Sequence, residues 1–315
     1  MTNAPPRVRY HSLVADSARW NDFELRAGDI VVTTPPKSGT TWTQMLCALL
    51  IFDGPIFPQP LEKLSPWLDM LNRPLEEVKA LYAAQTHRRF IKTHTPLDGL
   101  PLRPDVTYVV VGRDPRDVAI SMEHHMRNMD FESFMERRAK AVGTADLAEL
   151  PPRRAPSEDP AERFRTFVNE TVLSGTANLS IVLHHLGVAW QRRGDPNVAL
   201  LHYADLRADL PGELRRLAAA VGIGLSAARA AELASEASIE RMRERAADVV
   251  PGASLGQWRS VEGFLRAGSS GEWRSRVSEA DLDAYHRRVA ELAPPDLAAW
   301  VHAGRRASGI DPARA

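Results

Sequence analysis

Four short segments of this chain hold residue types suited to phosphate and proton chemistry. Pro36-Lys37-Ser38-Gly39-Thr40-Thr41 joins a lysine to small residues. Small side chains let a backbone wrap closely round an anion, so that N–H groups at a helix N-terminus point at it. Lys37 adds a full positive charge. The order differs from the nucleotide triphosphate loop G-x-x-x-x-G-K-[ST], because the first glycine is absent and the lysine precedes the glycine. Taken alone, the segment also reads as an ordinary turn before a helix. Lys92-Thr93-His94 places a second lysine two positions before a histidine. On an extended strand such positions face the same side, so both reach one site. An imidazole titrates near neutral pH and can take a proton from a hydroxyl. Arg113 and Ser121 could hold a phosphate by charge and by hydroxyl. In isolation they would read as a surface ion pair and a local cap. Arg266-Ala267-Gly268-Ser269-Ser270-Gly271-Glu272-Trp273 adds a further arginine in a glycine-rich stretch.

The elements around these segments set their positions. Asp29-Ile30-Val31-Val32-Thr33-Thr34 is a β-branched run that stops at Pro35-Pro36. The loop with Lys37 follows, then the apolar run Met45–Phe52, which predicts a helix. Phe90–Thr93 and Thr107–Val111 predict two more strands, the latter ending at Gly112. A helix begins near Asp114-Pro115, since proline suits a first turn. Val198–Tyr203 predicts a fourth strand, followed by a helix with Leu214, Leu217, Ala218 and Val221 on one face and Gly222 past its end. Leu225–Ala247 is helical. A final helix carries Leu282, Tyr285, Val289 and Leu292 and ends before Pro294-Pro295. Strands alternating with helices imply an α/β fold: a single domain with a central, mainly parallel sheet flanked by helices. Its motif-bearing core spans about 25–293. The stretch 129–160 reads as a mobile insertion over the site, or as a solvated insertion without function.

With Trp42 included, Pro36-Lys37-Ser38-Gly39-Thr40-Thr41-Trp42 resembles the 5′-phosphosulfate loop of the cytosolic sulfotransferase family. Lys92-Thr93-His94 resembles that family's catalytic Lys-Thr-His. Arg113 through Ser121 resembles its 3′-phosphate strand–loop–helix, and Arg266 through Trp273 its C-terminal Arg-Lys-Gly-x-x-Gly-x-Trp. The four stand in the family's order and span Asp29 to Trp273. The resemblance implies transfer of a sulfuryl group from 3′-phosphoadenosine 5′-phosphosulfate (PAPS) to an acceptor hydroxyl or amine, with PAP as product and no metal. It implies His94 as general base, with Lys37 and Lys92 stabilising charge on the leaving phosphate. Lys37, Ser38, Gly39, Thr40, Thr41, Trp42, Arg113, Ser121, Tyr203, Ile239, Arg266 and Gly268 would bind the donor. Departures fall at Ala267, where the family has lysine, at Ile239 for phenylalanine, at Pro35 for tyrosine, and at Ala204 within Tyr-Glu-Asp. The acceptor would be a phenol, alcohol, steroid-like molecule, amine or glycolipid.

Bulk properties agree with such an enzyme. The chain has 315 residues, with 40 basic and 40 acidic side chains. A sequence pI near 7.2 argues against a general nucleic-acid binder. The apolar run around Cys47 is too short to span a bilayer, and no signal peptide is apparent, so a cytoplasmic protein without stable membrane insertion is expected. Cys47, the single cysteine, reads as a buried, inert thiol. His124-His125 and His184-His185 are adjacent pairs. Helix neighbours do not share a face, so neither pair chelates a metal by itself, and a place beside an acceptor pocket is the other reading. Arg274–Asp283 lies where the family carries a dimer contact, but Glu279 replaces its valine. A monomer, or a dimer through another surface, is therefore expected. The competing functions are a P-loop nucleotide kinase, which would need ATP and magnesium, and a non-catalytic PAP- or PAPS-binding protein.

Overall fold

A computed structural model describes residues 7–151, 155–173, 177–266 and 268–314. Four strands form the sheet: β1 (Ile30–Thr33), β2 (Phe90–Thr93), β3 (Thr107–Gly112) and β4 (Val198–His202). All neighbours pair in parallel, in the order β2-β1-β3-β4. The β-branched runs are buried on both faces, as parallel strands covered by helices must be. Ile30, Val32, Val109 and Val111 pack on one face, with the helix Thr40–Phe52. Val31, Ile91, Tyr108 and Val110 pack on the other, with the helix Leu179–Gln191. The predicted α/β architecture is thus observed. Cys47 lies buried in the first of these cores, and burial pushes its thiol up to about 12.

The chain leaves β1 for β2 on one side and later reaches β3 on the other. The crevice at the C-terminal ends of β1 and β3 is therefore a topological switch point, where open parallel sheets bind ligands. The loop after β1, His94 after β2, Arg113 after β3 and Tyr203 after β4 all emerge at this edge.

Three expectations are corrected. Tyr203 does not end the fourth strand: His202 caps a short helix, Tyr203–Ala208, by accepting from the Ala204 N–H. The stretch 225–247 divides into helices Ala227–Glu236, Ile239–Glu244 and Ala246–Val249, because Ser238 N-caps a new start. Glu279–Leu292 is followed by one more helix, Pro295–Ser308. Proline at its first positions starts this helix rather than ending helical structure. It is held on the sheet by Trp300, against which a Cβ on Gly112 would stand at 2.6 Å. Asp205 accepts from the N–H groups of Arg305 and Arg306 across its kink at Gly304. The stretch 129–160 begins with regular structure. It folds as the helix Phe131–Val142, with Phe134 and Arg138 fully buried. Arg138 donates to the carbonyls of Leu13 and Gly143 and pairs with Asp146. Pro152, Arg153 and Arg154 lie outside the described residues.

Candidate active site

The loop after β1 is shaped by backbone conformation. Lys37 has φ 65° and Gly39 has φ 94°, both left-handed. Glycine adopts this region freely, but a lysine there is uncommon and marks a functional constraint. Gly39 is also needed for space, since a Cβ would come within 3.0 Å of the Tyr203 ring. The helix Thr40–Phe52 begins directly after it, so the loop presents the positive end of that helix. Arg113, nearly buried, donates to the Lys37 carbonyl at 2.7 Å and to the Ser269 carbonyl at 3.2 Å. It thereby ties together the loop, the end of β3 and the glycine-rich C-terminal segment. Asp117 fixes that segment from the other side by accepting from the Gly271 N–H at 2.7 Å.

Aromatic and apolar groups wall this end of the cavity. Trp42 donates to the Ala237 carbonyl at 2.8 Å and packs edge-on against Tyr203 at 5.5 Å. The Arg113 guanidinium lies 4.3 Å over the Tyr203 ring, and Tyr203 donates to the Gly268 carbonyl at 3.2 Å. Ile239 completes the wall. Two buried polar atoms here lack a protein partner among the described residues: Ser38 Oγ and Arg113 Nε. Buried polar atoms are seldom left unpaired, so these two suit an anionic ligand.

Lys37, Lys92 and His94 converge beside this wall. Lys92 Nζ stands 4.7 Å over the Trp67 ring, and His94 meets the same indole edge-on at 4.6 Å. His94 Nδ1 lies 2.7 Å from the Thr34 carbonyl. A carbonyl only accepts, so Nδ1 carries the proton and Nε2 keeps its lone pair. Burial, reinforced by Lys92, holds His94 well below the ordinary imidazole range, so it is neutral at neutral pH, with the Nε2 lone pair free to accept. Burial brings Lys37 down to about 7, with Arg113, Lys92 and Arg266 adding repulsion. Burial brings Lys92 to about 8, opposed by Asp69.

Thirteen of the residues singled out from the sequence border one cavity of about 2140 Å³: Lys37, Gly39, Thr40, Thr41, Trp42, Lys92, His94, Arg113, Ser121, Tyr203, Ile239, Arg266 and Gly268. Ser38, within the loop, is fully buried and is not among the residues bordering the cavity. Arg266 reaches the cavity but is half-exposed and paired with Glu272 at 2.7 Å. Ala267 lies outside the described residues. The histidine pairs split, as helix geometry requires. His124 meets Glu272 at 3.0 Å, whereas His125 meets Lys37 Nζ at 3.2 Å. His184 bonds Asp98 and Tyr10, and His185 lies 3.1 Å from the Thr33 hydroxyl. Among the described residues no group of three His, Cys, Asp or Glu side chains could hold a metal. Sequence reasoning missed Trp67, Asp69 and Phe264. Trp67 and Asp69 come from a loop remote from the motifs, and Phe264 ends a short helix two residues before Arg266; no local spacing announces any of them. Asp69 is fully buried and accepts from Thr93 and Thr95 hydroxyls at 2.7 and 2.5 Å.

A parallel sheet with a basic loop at its switch point, facing a lysine and a neutral histidine, defines a group-transfer enzyme for anionic donors. Residues 27–294 match the sulfotransferase domain family. The chain is 49% identical to a glycolipid sulfotransferase of Mycobacterium bovis, over 98% of this chain and 97% of that protein. It is 26% identical to the luciferin sulfotransferase of Photinus pyralis, over 82% of this chain and 69% of that protein. The fold resembles the crystal structure of retinol dehydratase in a complex with retinol and PAP, with TM-score 0.68 and 24% identity over 91% of this chain and 90% of that one. The chain belongs to the sulfotransferase family and is a PAPS-dependent sulfotransferase. These matches do not favour the kinase reading. Among the described residues no helix is long and apolar enough to cross a membrane.

Proposed function

We propose that this protein sulfates a hydroxyl of a glycolipid, drawing the sulfuryl group from PAPS, with His94 as general base. The observation that carries the donor half is the convergence of Lys37, Lys92 and Arg113 on one cavity, with Arg113 Nε left without a protein partner among the described residues. When bound, PAPS supplies a sulfuryl group whose leaving group is a phosphate. The residues of this chain do the rest by positioning and charge stabilisation. His94 Nε2 takes the acceptor hydroxyl's proton as the new oxygen–sulfur bond forms. Lys37 and Lys92 face the phosphate oxygen on which charge grows as the old bond breaks. Arg113 and Ser121 hold the 3′-phosphate, with Arg266 contributing from a more exposed position. Trp42, Tyr203 and Ile239 enclose the adenine.

Two facts support the glycolipid acceptor. Relatives with 48–49% identity across nearly the whole chain bear that activity in their names. The cavity also extends well beyond the donor groups into an apolar region lined by Met70, Met122, Met126, Phe131, Phe134 and Phe167. Unbranched methionines adapt to irregular apolar ligands such as acyl chains.

The protein acts as a monomer or through a dimer surface other than Arg274–Asp283. Ser278 caps the helix Glu279–Leu292 by accepting from the Asp281 N–H, so Glu279 starts a helix and the segment is not extended. Incubation with PAPS and a mixed acceptor library tests the whole reading. A glycolipid product heavier by one sulfonate is expected; sulfation confined to small phenols would remove the acceptor assignment.

A further inference from the structure

The helix Pro115–Asn128 carries Ser121 and His125 one turn apart, and both border the cavity. His125 Nδ1 lies 3.2 Å from Lys37 Nζ. An ammonium only donates, so a protonated Lys37 requires Nδ1 to accept and the imidazole proton to sit on Nε2. This is the opposite tautomer to that of His94. Two aromatic rings fix the imidazole plane: Trp258 at 5.0 Å and Phe264 at 6.0 Å. The same Phe264 ring lies 5.1 Å from Lys37 Nζ. Burial, with Lys37 and Lys92 close by, keeps His125 well below the ordinary imidazole range, and hence a neutral acceptor.

We infer that His125 is a positioning residue for Lys37, an inference that rests on the PAPS reading above. The left-handed backbone at Lys37 fixes where its side chain starts, but a four-carbon stem leaves Nζ free to wander. His125 fixes where the side chain ends. It takes one of the three ammonium N–H groups and leaves two for the departing phosphate of the donor. Ser121 and His125 thus let one helix hold the 3′-phosphate and set the lysine that meets the 5′-phosphate. A lysine displaced by an ångström still attracts a bound nucleotide, yet stabilises the transferring group much less.

The test compares His125→Phe, which keeps an aromatic ring between Trp258 and Phe264 but no acceptor, with His125→Asn, whose Oδ1 falls near the lost Nδ1. Two quantities are read on the full chain: PAP affinity by calorimetry, and turnover of PAPS both with a glycolipid acceptor and in its slow hydrolysis by water. The expected result is a fall in both turnovers of roughly ten- to hundredfold in His125→Phe. PAP affinity stays within about threefold, because Arg113 and the loop still bind the phosphates. His125→Asn regains most of the turnover. Undiminished turnover in His125→Phe overturns the inference. So does a loss in His125→Asn as deep as in the phenylalanine variant, with PAP still bound, which would reduce the imidazole to a shape. Should His125→Phe fail to fold, His125→Leu takes its place as the variant without an acceptor, read by the same outcomes. Wild-type protein that binds no PAP would overturn the donor reading, and this inference with it.

Discussion

The two ends of the cavity are built in different ways. At the end proposed to hold the donor, Lys37, Lys92 and Arg113 start from backbone at or next to a strand end. Lys37 sits in a fixed loop after β1, and Arg113 clamps the Lys37 and Ser269 carbonyls. At the end proposed for the acceptor, the walls are side chains of Met70, Met126, Phe131 and Phe167, which come from loops and helices spread along the chain. The donor end is thereby rigid and specific for charge. The acceptor end is apolar and adaptable. A rigid end dictates chemistry and an adaptable end dictates what is brought to it, so substitutions at the two should separate turnover from acceptor choice.

The largest effect is expected from His94→Ala. Loss of a general base costs on the order of 10²–10⁴ in turnover, whereas PAP affinity should hardly change, because the proposed role acts on the acceptor and not on the nucleotide. Steady-state kinetics beside calorimetry checks this, and near wild-type turnover on an unactivated alcohol would remove the role. Lys37→Ala comes next, with a turnover loss of about 10²–10³ that exceeds its loss of PAP affinity. Equal losses would make Lys37 a plain binding residue.

A pH experiment sharpens the contrast without mutation. Lys37 near 7 and Lys92 near 8 are largely or partly neutral at pH 8 in the free protein. Bound phosphate favours their charged forms, so both values rise and PAP binding takes up protons. The sign follows from the depressed starting values: uptake is greatest above pH 8, between the free and the raised values, and falls toward zero below pH 6, where both lysines are already charged. Calorimetry in buffers of different ionisation enthalpy reads it directly, and no uptake at pH 8 would show the lysines are not so depressed. A smaller, selective effect is expected at the other end. Met126→Trp should raise KM for long-chain acceptors roughly tenfold, leaving PAP affinity and short acceptors unchanged. A loss of PAP affinity instead would show that the two ends are not separable.

The same difference explains what could be read from the sequence. Lys37, Lys92, His94 and Arg113 were legible because strand ends and tight loops fix them locally, and β-branched runs reveal the strands. Tyr203 borders the cavity but stands in a helix rather than the strand, since a His202 cap rather than hydropathy ends the strand. The helix Pro295–Ser308 was hidden because its place depends on Gly112 making room for Trp300, a contact 188 residues apart in the chain. Trp67, Phe264 and the partnership of His125 with Lys37 also arise only when distant segments meet. Acceptor walls have no motif, because any apolar side chain of suitable size can serve.

The central claim is that this cavity moves a sulfuryl group from PAPS to a glycolipid hydroxyl with His94 taking the proton. The most direct measurement follows a radiolabelled sulfuryl group from the donor into the lipid phase, with wild type and His94→Ala side by side, each first shown to bind PAP. The account predicts label in the glycolipid with wild type and almost none with His94→Ala. Equal transfer by both proteins, or none by a wild type that binds PAP, would contradict it.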